Sequence, residues 1–354
     1  MSNSADAFRL TRPYATAVYR SALWQLANTL ALYACTIALM FWTVTTPGIP
    51  YVATLALSLV ASVGYMRLFM IGHDTSHDSF MPKKWENVVV GNLMGVLTNT
   101  PVAYWGRQHH LHHQGNGNLD KRGNGDVQMM TVEEFRTASV GQRIGYRVYR
   151  NPFFLFFIAA PVHFVVLQRY PFGHQSKALS GWRSVLGTDL GILLYYGALI
   201  AAFGWSAFLQ VYVPVVWLSA AGAVWLFYVQ HQYEGTYFER QSGWRYQDAA
   251  LEGSSFYNIG PFLHWCCANI GYHHIHHLNP KVPNYRLPTC HAETPDLREP
   301  AYVLSLRESI STATLALWDE DRQKLVSFKE AGVTLGEPLQ MPPDSILTDR
   351  EVGT

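Results

Sequence analysis

The sequence predicts an all-α integral membrane protein: about four transmembrane helices in two hairpins, with interfacial helices and a cytoplasmic helical cap holding a histidine-ligated dimetal site. Three observations predict it. Residues 21–66 and 190–233 contain no Asp, Glu, Lys or Arg. Each tract is long enough for two crossings of about 20 residues, and a soluble helix of that length would carry charge on its outer face. Twelve of the 15 histidines fall into tight groups beside these tracts. The links inside the two apolar tracts carry no Lys or Arg, whereas the histidine side carries Arg9, Arg12, Arg20, Lys83, Lys84, Arg143, Arg147, Arg150, Arg169, Lys177, Arg183, Arg240 and Arg245. By the positive-inside rule the histidines face the cytoplasm.

The elements follow in order. Residues 1–20 form a polar cytoplasmic segment. Spans are expected at about 22–43 and 51–72, joined by an uncharged turn with Pro47, Gly48 and Pro50. The first is too long for a signal-peptide core and is read as retained. Arg67 can snorkel to the interface. Residues 87–106 are rich in Gly, Asn and Thr and interrupted by Pro101; they are expected to dip or lie in the interface. Residues 152–168 are apolar but short and contain Pro161 and His163. Spans at about 188–204 and 208–230 close a second hairpin, and the membrane domain runs over 21–294. If all histidine groups build one site, an even number of crossings separates His113 from His231. The 152–168 tract is therefore the one that does not cross. From 295 to 354 the chain is a cytoplasmic helix and tail, with the apolar rhythm Val303, Leu306, Ile310, Leu317 predicting a helix over 301–318.

A net charge of +1 gives no reason to propose a nucleic-acid partner. The four cysteines, Cys35, Cys266, Cys267 and Cys290, make no C-x-x-C pair, so a thiolate zinc site or a redox dithiol is not expected.

The histidines carry the chemistry. HDTSH holds His73 and His77; HHLHH holds His109, His110, His112 and His113; VQHQYE holds His231; HWCCANIGYHHIHH holds His264, His273, His274, His276 and His277. Residues three or four apart share a helix face, so each box projects its imidazoles together. Nine candidate ligands result: His73, His77, His109, His112, His113, His231, His273, His276 and His277. Spacing leaves His110 as an alternative to His109 and His274 to His273, with His264 a further candidate. His163, His174 and His291 stand apart. A single zinc takes four ligands; nine imidazoles suit two ions, and iron accepts imidazole and activates dioxygen. Asp74, Asp78 and Glu234 neighbour ligands and are candidates to orient them. Tyr104, Trp105 and Trp265 are candidates to line a substrate path.

HDTSH, HHLHH, VQHQYE and NIGYHHIHHLNPKVPNYRL together resemble the boxes of integral-membrane fatty acid desaturases, in particular the bacterial acyl-lipid omega-6/Δ12-type branch. HHQGNGNLDKRGNGDVQMMTVEEF and LWDEDRQKLVSF add to the resemblance, which covers roughly residues 50–330. It implies an oxidoreductase with a non-haem centre of two iron ions on the nine histidines, dioxygen as oxidant and a lipid-linked fatty acyl substrate. It also implies that an Asn can complete the ligand shell, for which Asn269 is the candidate. The first box departs from the family's frequent small residues, carrying Thr75 and Ser76 off the ligand face. A fatty acyl hydroxylase with the same boxes is the nearest alternative. A membrane metal transporter is a further one, disfavoured because the expected spans hold no ionisable residue near the bilayer midplane, where transporters place their sites. With no haem-binding His-Pro-Gly-Gly motif and no dinucleotide-binding glycine pattern, electrons must come from a separate ferredoxin or cytochrome. Arg143, Arg147 and Arg150 are candidates to dock that donor or to hold lipid headgroups.

Overall fold

The computed structural model describes residues 4–123, 125–173 and 177–335; His174 and the tail beyond residue 335 lie outside them. Helix α1 (Tyr19–Thr45) and helix α2 (Tyr51–Ser76) form the first hairpin. At 1.5 Å per residue each is about 40 Å long, more than the roughly 30 Å hydrocarbon core of a bilayer. Pro50 begins α2 in extended conformation, and the Thr43 and Thr54 hydroxyls bond at 2.8 Å across the turn.

Residues 87–106 become two short helices, α3 (Lys84–Leu97) and α4 (Val102–Gly115), packed against α2. The glycines that weakened the apolar signal here serve that packing. A Cβ on Gly106 would lie 2.7 Å from the Ser76 Cβ. Only glycine lets α4 come so close to the end of α2, and that approach sets HHLHH beside HDTSH.

Residues 152–169 are apolar and long enough to count by length and composition among the candidate spans. They are irregular, however: a turn of α-helix, a π-helical stretch over Leu155–Ala159, a second α-helical piece and a 3₁₀ turn. Helix α5 (Leu179–His231) is two helices joined at Gly204, whose φ of 80° and ψ of 160° break it. Its halves fold back on each other, with the Tyr196 and Phe208 rings 4.9 Å apart and Phe203 stacked on Phe41 at 4.2 Å. The expected spans at 188–204 and 208–230 fall in these two halves.

Beyond α5 come strand β2 (Phe256–Asn258), helix α6 (Gly260–Cys266) and helix α7 (His273–Leu278); strand β1 (Met130–Thr131) precedes them in the chain. The expected helix over 301–318 does not form. Instead strand β3 (Val303–Ser305) pairs in parallel with β2, helix α8 (Leu306–Thr312) is capped by Ser305 and Glu308, and β4 (Leu317–Asp319) turns into β5 (Lys324–Val326). Of the apolar rhythm only Leu317 is buried; Val303, Leu306 and Ile310 are exposed. The Ser-Leu-Arg-Glu capping box starts the helix only at Leu306, and it ends at Thr312, too short to carry the rhythm. The protein is thus predominantly helical, with two small sheets among the described residues of the cap.

Arg143, Arg147 and Arg150 turn toward the rest of the chain rather than forming an exposed basic patch. Arg143 and Arg150 are buried, the latter donating to Tyr228 Oη at 3.0 Å, Gln232 Oε1 at 3.0 Å and the Leu315 carbonyl at 2.6 Å. Arg147 donates to the Val333 carbonyl at 2.6 Å and lies over the Phe328 ring. They staple the C-terminal cap to the membrane-proximal helices. Arg67 does not snorkel either. It is buried, donates to Thr29 Oγ1 at 3.1 Å, Asn28 Oδ1 at 3.0 Å and the Trp265 carbonyl, and lies 4.2 Å over the Trp265 ring.

Candidate metal centre

All nine expected imidazoles meet in one buried cluster with two parts. His73, His77, His109, His113 and His276 bring ligand atoms within 4.8 Å of one another, and so do His112, His231 and His277. His273 joins the second part, its Nε2 2.9 Å from that of His231. The period of the helix creates the division. In α4, His109 and His113 face the first part while His112 faces the second; in α7, adjacent His276 and His277 separate in the same way. The end of α2 supplies His73 and His77, and the end of α5 supplies His231.

The nitrogens converge as donors to metal ions would. His73 and His109 Nε2 lie 2.8 Å apart, His109 and His113 Nε2 3.0 Å, and His113 and His276 Nε2 3.1 Å. In the second part His112 and His231 Nε2 lie 3.2 Å apart. Two imidazoles on one ion at about 2.1 Å, roughly at right angles, place their nitrogens about 3 Å apart. The Nε2 atoms of His77 and His277 are buried with no hydrogen-bond partner among the described residues, which a metal would satisfy. Burial, reinforced by the neighbouring imidazoles, holds His77, His109, His113, His273, His276 and His277 well below the usual histidine range. Neutral rings leave a lone pair free for a metal. The donor set fits two ions in borderline nitrogen sites.

Carboxylates and a carbonyl fix three of the rings. His73 donates from Nδ1 to Asp74 Oδ1 at 2.9 Å, and Asp74 Oδ2 accepts from the Asn284 backbone N–H at 2.7 Å and its side chain at 2.8 Å. Gln25 of α1 in turn donates to Asn284 Oδ1 at 2.8 Å. His112 donates from Nδ1 to Asp126, and His231 from Nδ1 to the Gly253 carbonyl at 2.9 Å. Such outer partners set the tautomer and strengthen the ligand. Asp74 is where the sequence put it. Asp126, Asn284 and the Gly253 carbonyl were missed. Asp126 and Asn284 lie within stretches that carry the family resemblance, but no spacing rule ties them to a ligand.

Other expected residues fall elsewhere. Glu234 is not an orienter: it follows His231 closely in sequence but its carboxylate meets Lys324 Nζ at 2.8 Å on the surface. Asp78 faces Lys84 at 3.9 Å. Asn269 does not face the cluster through its side chain, which donates to the Asn284 carbonyl at 3.2 Å. Its placement four residues before His273 presumed one continuous helix. Instead α6 ends at Cys266, Ala268 and Asn269 have φ of 48° and 62°, and α7 begins only at His273. Of the alternatives, His110 is exposed, with Nε2 2.9 Å from Gln114 Nε2. His264 stacks on Tyr272, and His274 lies 5.4 Å from His291.

A cavity of about 510 Å³ reaches the centre, within the roughly 300–1,000 Å³ of small-molecule sites. His73, His109 and His273 line it together with Tyr104, Trp105 and a mostly apolar wall that includes Phe69, Phe164 and Phe227. Trp105 stacks on His109 with centroids 4.7 Å apart. Trp265 is not part of this wall; it is partly exposed beneath Arg67.

Comparison with known proteins agrees with this architecture. The family model described as fatty acid desaturase matches residues 47–308. A "Fatty acid desaturase" of Bacillus subtilis is 39% identical over 92% of this chain and 90% of its own. An "sn-1 acyl-lipid omega-3 desaturase (ferredoxin)" of Nostoc is 26% identical over 65% of this chain and 64% of its own, and an "sn-1 oleoyl-lipid 12-desaturase" of Synechocystis is 26% identical over 69% and 70%. A family match across most of the chain, a relative similar over nearly its full length, and apolar hairpins carrying a histidine cluster on their ends lead to one conclusion: this chain is a membrane protein that belongs to the fatty acid desaturase family.

Proposed function

We propose that the protein is a dioxygen-dependent desaturase that places a double bond in a lipid-linked fatty acyl chain. The observation that carries this reading is the largely apolar cavity whose wall includes three of the nine histidines. Its lining suits a hydrocarbon chain better than a polar substrate.

In this reading His73, His77, His109, His113 and His276 hold one iron, and His112, His231, His273 and His277 hold a second. Iron in imidazole sites supplies the dioxygen chemistry by which two hydrogens leave adjacent methylenes and dioxygen is reduced to water with two further electrons. The protein's part is to position and to keep dry. Phe69, Phe164 and Phe227 confine the chain, and Trp105 sets the plane of His109 beside it. Holding one methylene against the centre rather than its neighbour is a positional effect. Asp74 and Asp126 keep His73 and His112 in the tautomer that turns Nε2 toward the metal.

The topology follows from the site. His112 and His231 meet, so an even number of crossings separates them. With the two halves of α5 crossing, the irregular 152–169 segment stays on one side and walls the cavity. Two hairpins then span the bilayer, with the centre on the cytoplasmic face of the bacterial inner membrane, where the basic residues lie. Reducing electrons come from a separate carrier, a ferredoxin or a cytochrome; two relatives are named as ferredoxin enzymes.

The test is expression with a competent ferredoxin in a host of defined lipids, followed by mass spectrometry of double-bond positions and of bound metal. A new alkene that vanishes in His112→Ala, with two irons per chain, supports the reading. Hydroxylated acyl chains in place of alkenes favour the hydroxylase, and one zinc per chain overturns the iron assignment.

A further inference from the structure

The residues of α2 that line the cavity are Met66, Phe69, Met70 and His73. This spacing puts them on one helix face, in a stripe that starts at a candidate ligand and ends at Met66. The second half of α5 repeats the pattern. Ala223, Phe227 and Gln230 line the cavity from one face, and Ala223 is the lining residue of this helix farthest from His231. Met66 precedes His73 by seven residues and Ala223 precedes His231 by eight. At 1.5 Å per residue the two helices thus agree on a depth of about 10–12 Å. Both run from their histidine into an apolar stretch long enough to cross a membrane.

A second void of about 10 Å³ follows at that depth, and Tyr65, Ser219 and Ala220 are part of its lining. Ser219 and Ala220 lie one turn beyond Ala223 on the same face of α5. Met66, Phe69, Phe164 and Ala223 line both spaces and form the partition between them. The Phe69 and Phe164 rings meet edge to face with centroids 5.6 Å apart. Met66 is buried and reaches across to α5, where a Cβ on Gly222 would lie 3.4 Å from Met66 Cε. None of the four side chains offers a hydrogen-bond donor. An ester or carboxyl group arriving here would give up its bonds to water with no partner in return. A methyl end loses nothing and gains the burial. A chain that rests one end on Met66 and follows the stripe reaches His73 two turns later.

We propose that Met66, seated against Gly222, is the stop on which the methyl end of the acyl chain rests. This depends on the acyl-substrate reading above and adds to it. The depth from the histidines to Met66 then limits how many carbons lie beyond the pair presented to the centre, and Met66 is a specificity-determining residue for chain length. Ala223 faces it from the opposite helix and shares the role. The void behind the partition is the room that a smaller residue at position 66 would add.

The test is native mass spectrometry of the full-length protein, purified with its metal in a steroid-based detergent, against saturated lysophosphatidylglycerols of graded chain length. In wild type, affinity should rise about fourfold with each added methylene and stop rising at the length whose tail reaches Met66. Met66→Ala opens the partition and should move that break to chains longer by about two or three methylenes. Ala223→Leu fills the same end from α5 and should move it to chains shorter by about as much. A purely structural role would weaken binding at every length and leave the break in place. If Met66→Ala does not fold, judged by its melting curve and metal content, Met66→Val replaces it with a smaller shift in the same direction. No break in wild type, an unmoved break in the variants, or a shift of both variants in one direction overturns the proposal. Breaks that move as expected without any alkene formed in turnover would leave the stop standing and remove the desaturase reading. Alkenes formed with the break unmoved would do the reverse.

Discussion

The two parts of the candidate metal centre are built from similar residues but supported differently. The first draws five imidazoles from α2, α4 and α7; the second draws four from α4, α5 and α7. The orienting carboxylate of the first, Asp74, is 1% exposed and tied through Asn284 to Gln25 in α1. That of the second, Asp126, sits on a loop with its side chain 21% exposed. The first part is thus braced by the hairpin and the tail of the last box. The second is set by a loop, by one backbone carbonyl and by the end of α5. Rigidity and donor number both favour the first.

The largest effects should come from removing ligands. On the proposed ligand assignment, His231→Ala leaves the second part three imidazoles and is expected to abolish activity and lower bound metal by about half. His77→Ala leaves the first part four and should also abolish activity while retaining more metal. Equal loss of metal in the two variants, by elemental analysis of purified protein, would break the asymmetry. Next come the orienters. Asp74→Asn and Asp126→Asn should each weaken metal binding by about 10–100-fold, Asp74 toward the upper end because it is buried and Asp126 toward the lower because water can replace it. Titration with a competing chelator ranks them. A smaller effect is expected for Asn284→Ala, which removes the side-chain bond to Asp74 and the one from Gln25. Stability in detergent should fall by about 2–3 kcal/mol, with metal lost from the first part before the second. The smallest is Glu234→Gln. Paired only on the surface, Glu234 should change stability by less than about 0.5 kcal/mol and leave turnover intact.

What was legible in the sequence follows the range of the rules that read it. Helical spacing runs over one turn, so HDTSH, HHLHH and the last box were found, and His231 was found because it ends an apolar tract. The same rule could not choose between His109 and His110, since both are three or four residues from other histidines; the packing of Gly106 on Ser76 decides it. Asp126 lies 14 residues beyond His112 across a glycine-rich loop, where no period connects cause and effect. Glu234 misled for the opposite reason: nearness along the chain stood in for nearness in space. The arginines at 143, 147 and 150 looked like a surface patch because their partners are mostly main-chain carbonyls and neutral side chains more than 70 residues away, and backbone acceptors leave no mark in a sequence. The Pro-Asn-Tyr stretch after the last box was distinctive without a role until Asn284 was seen to hold Asp74.

Two pairs of consecutive histidines straddle the centre: His112 with His113, and His276 with His277. In each pair one ring serves the first part and its covalent neighbour serves the second. The gap between the parts is therefore gauged twice, by two peptide bonds on separate helices, much as a pair of calipers is set by its hinge. Neither helix can slide along its axis to widen or close that gap. Whatever changes in charge or occupancy the centre undergoes must be taken up by rotation of rings about their own side-chain bonds. Inserting one residue between either pair would turn one half about 100° away, and no adjustment elsewhere in the chain could restore it.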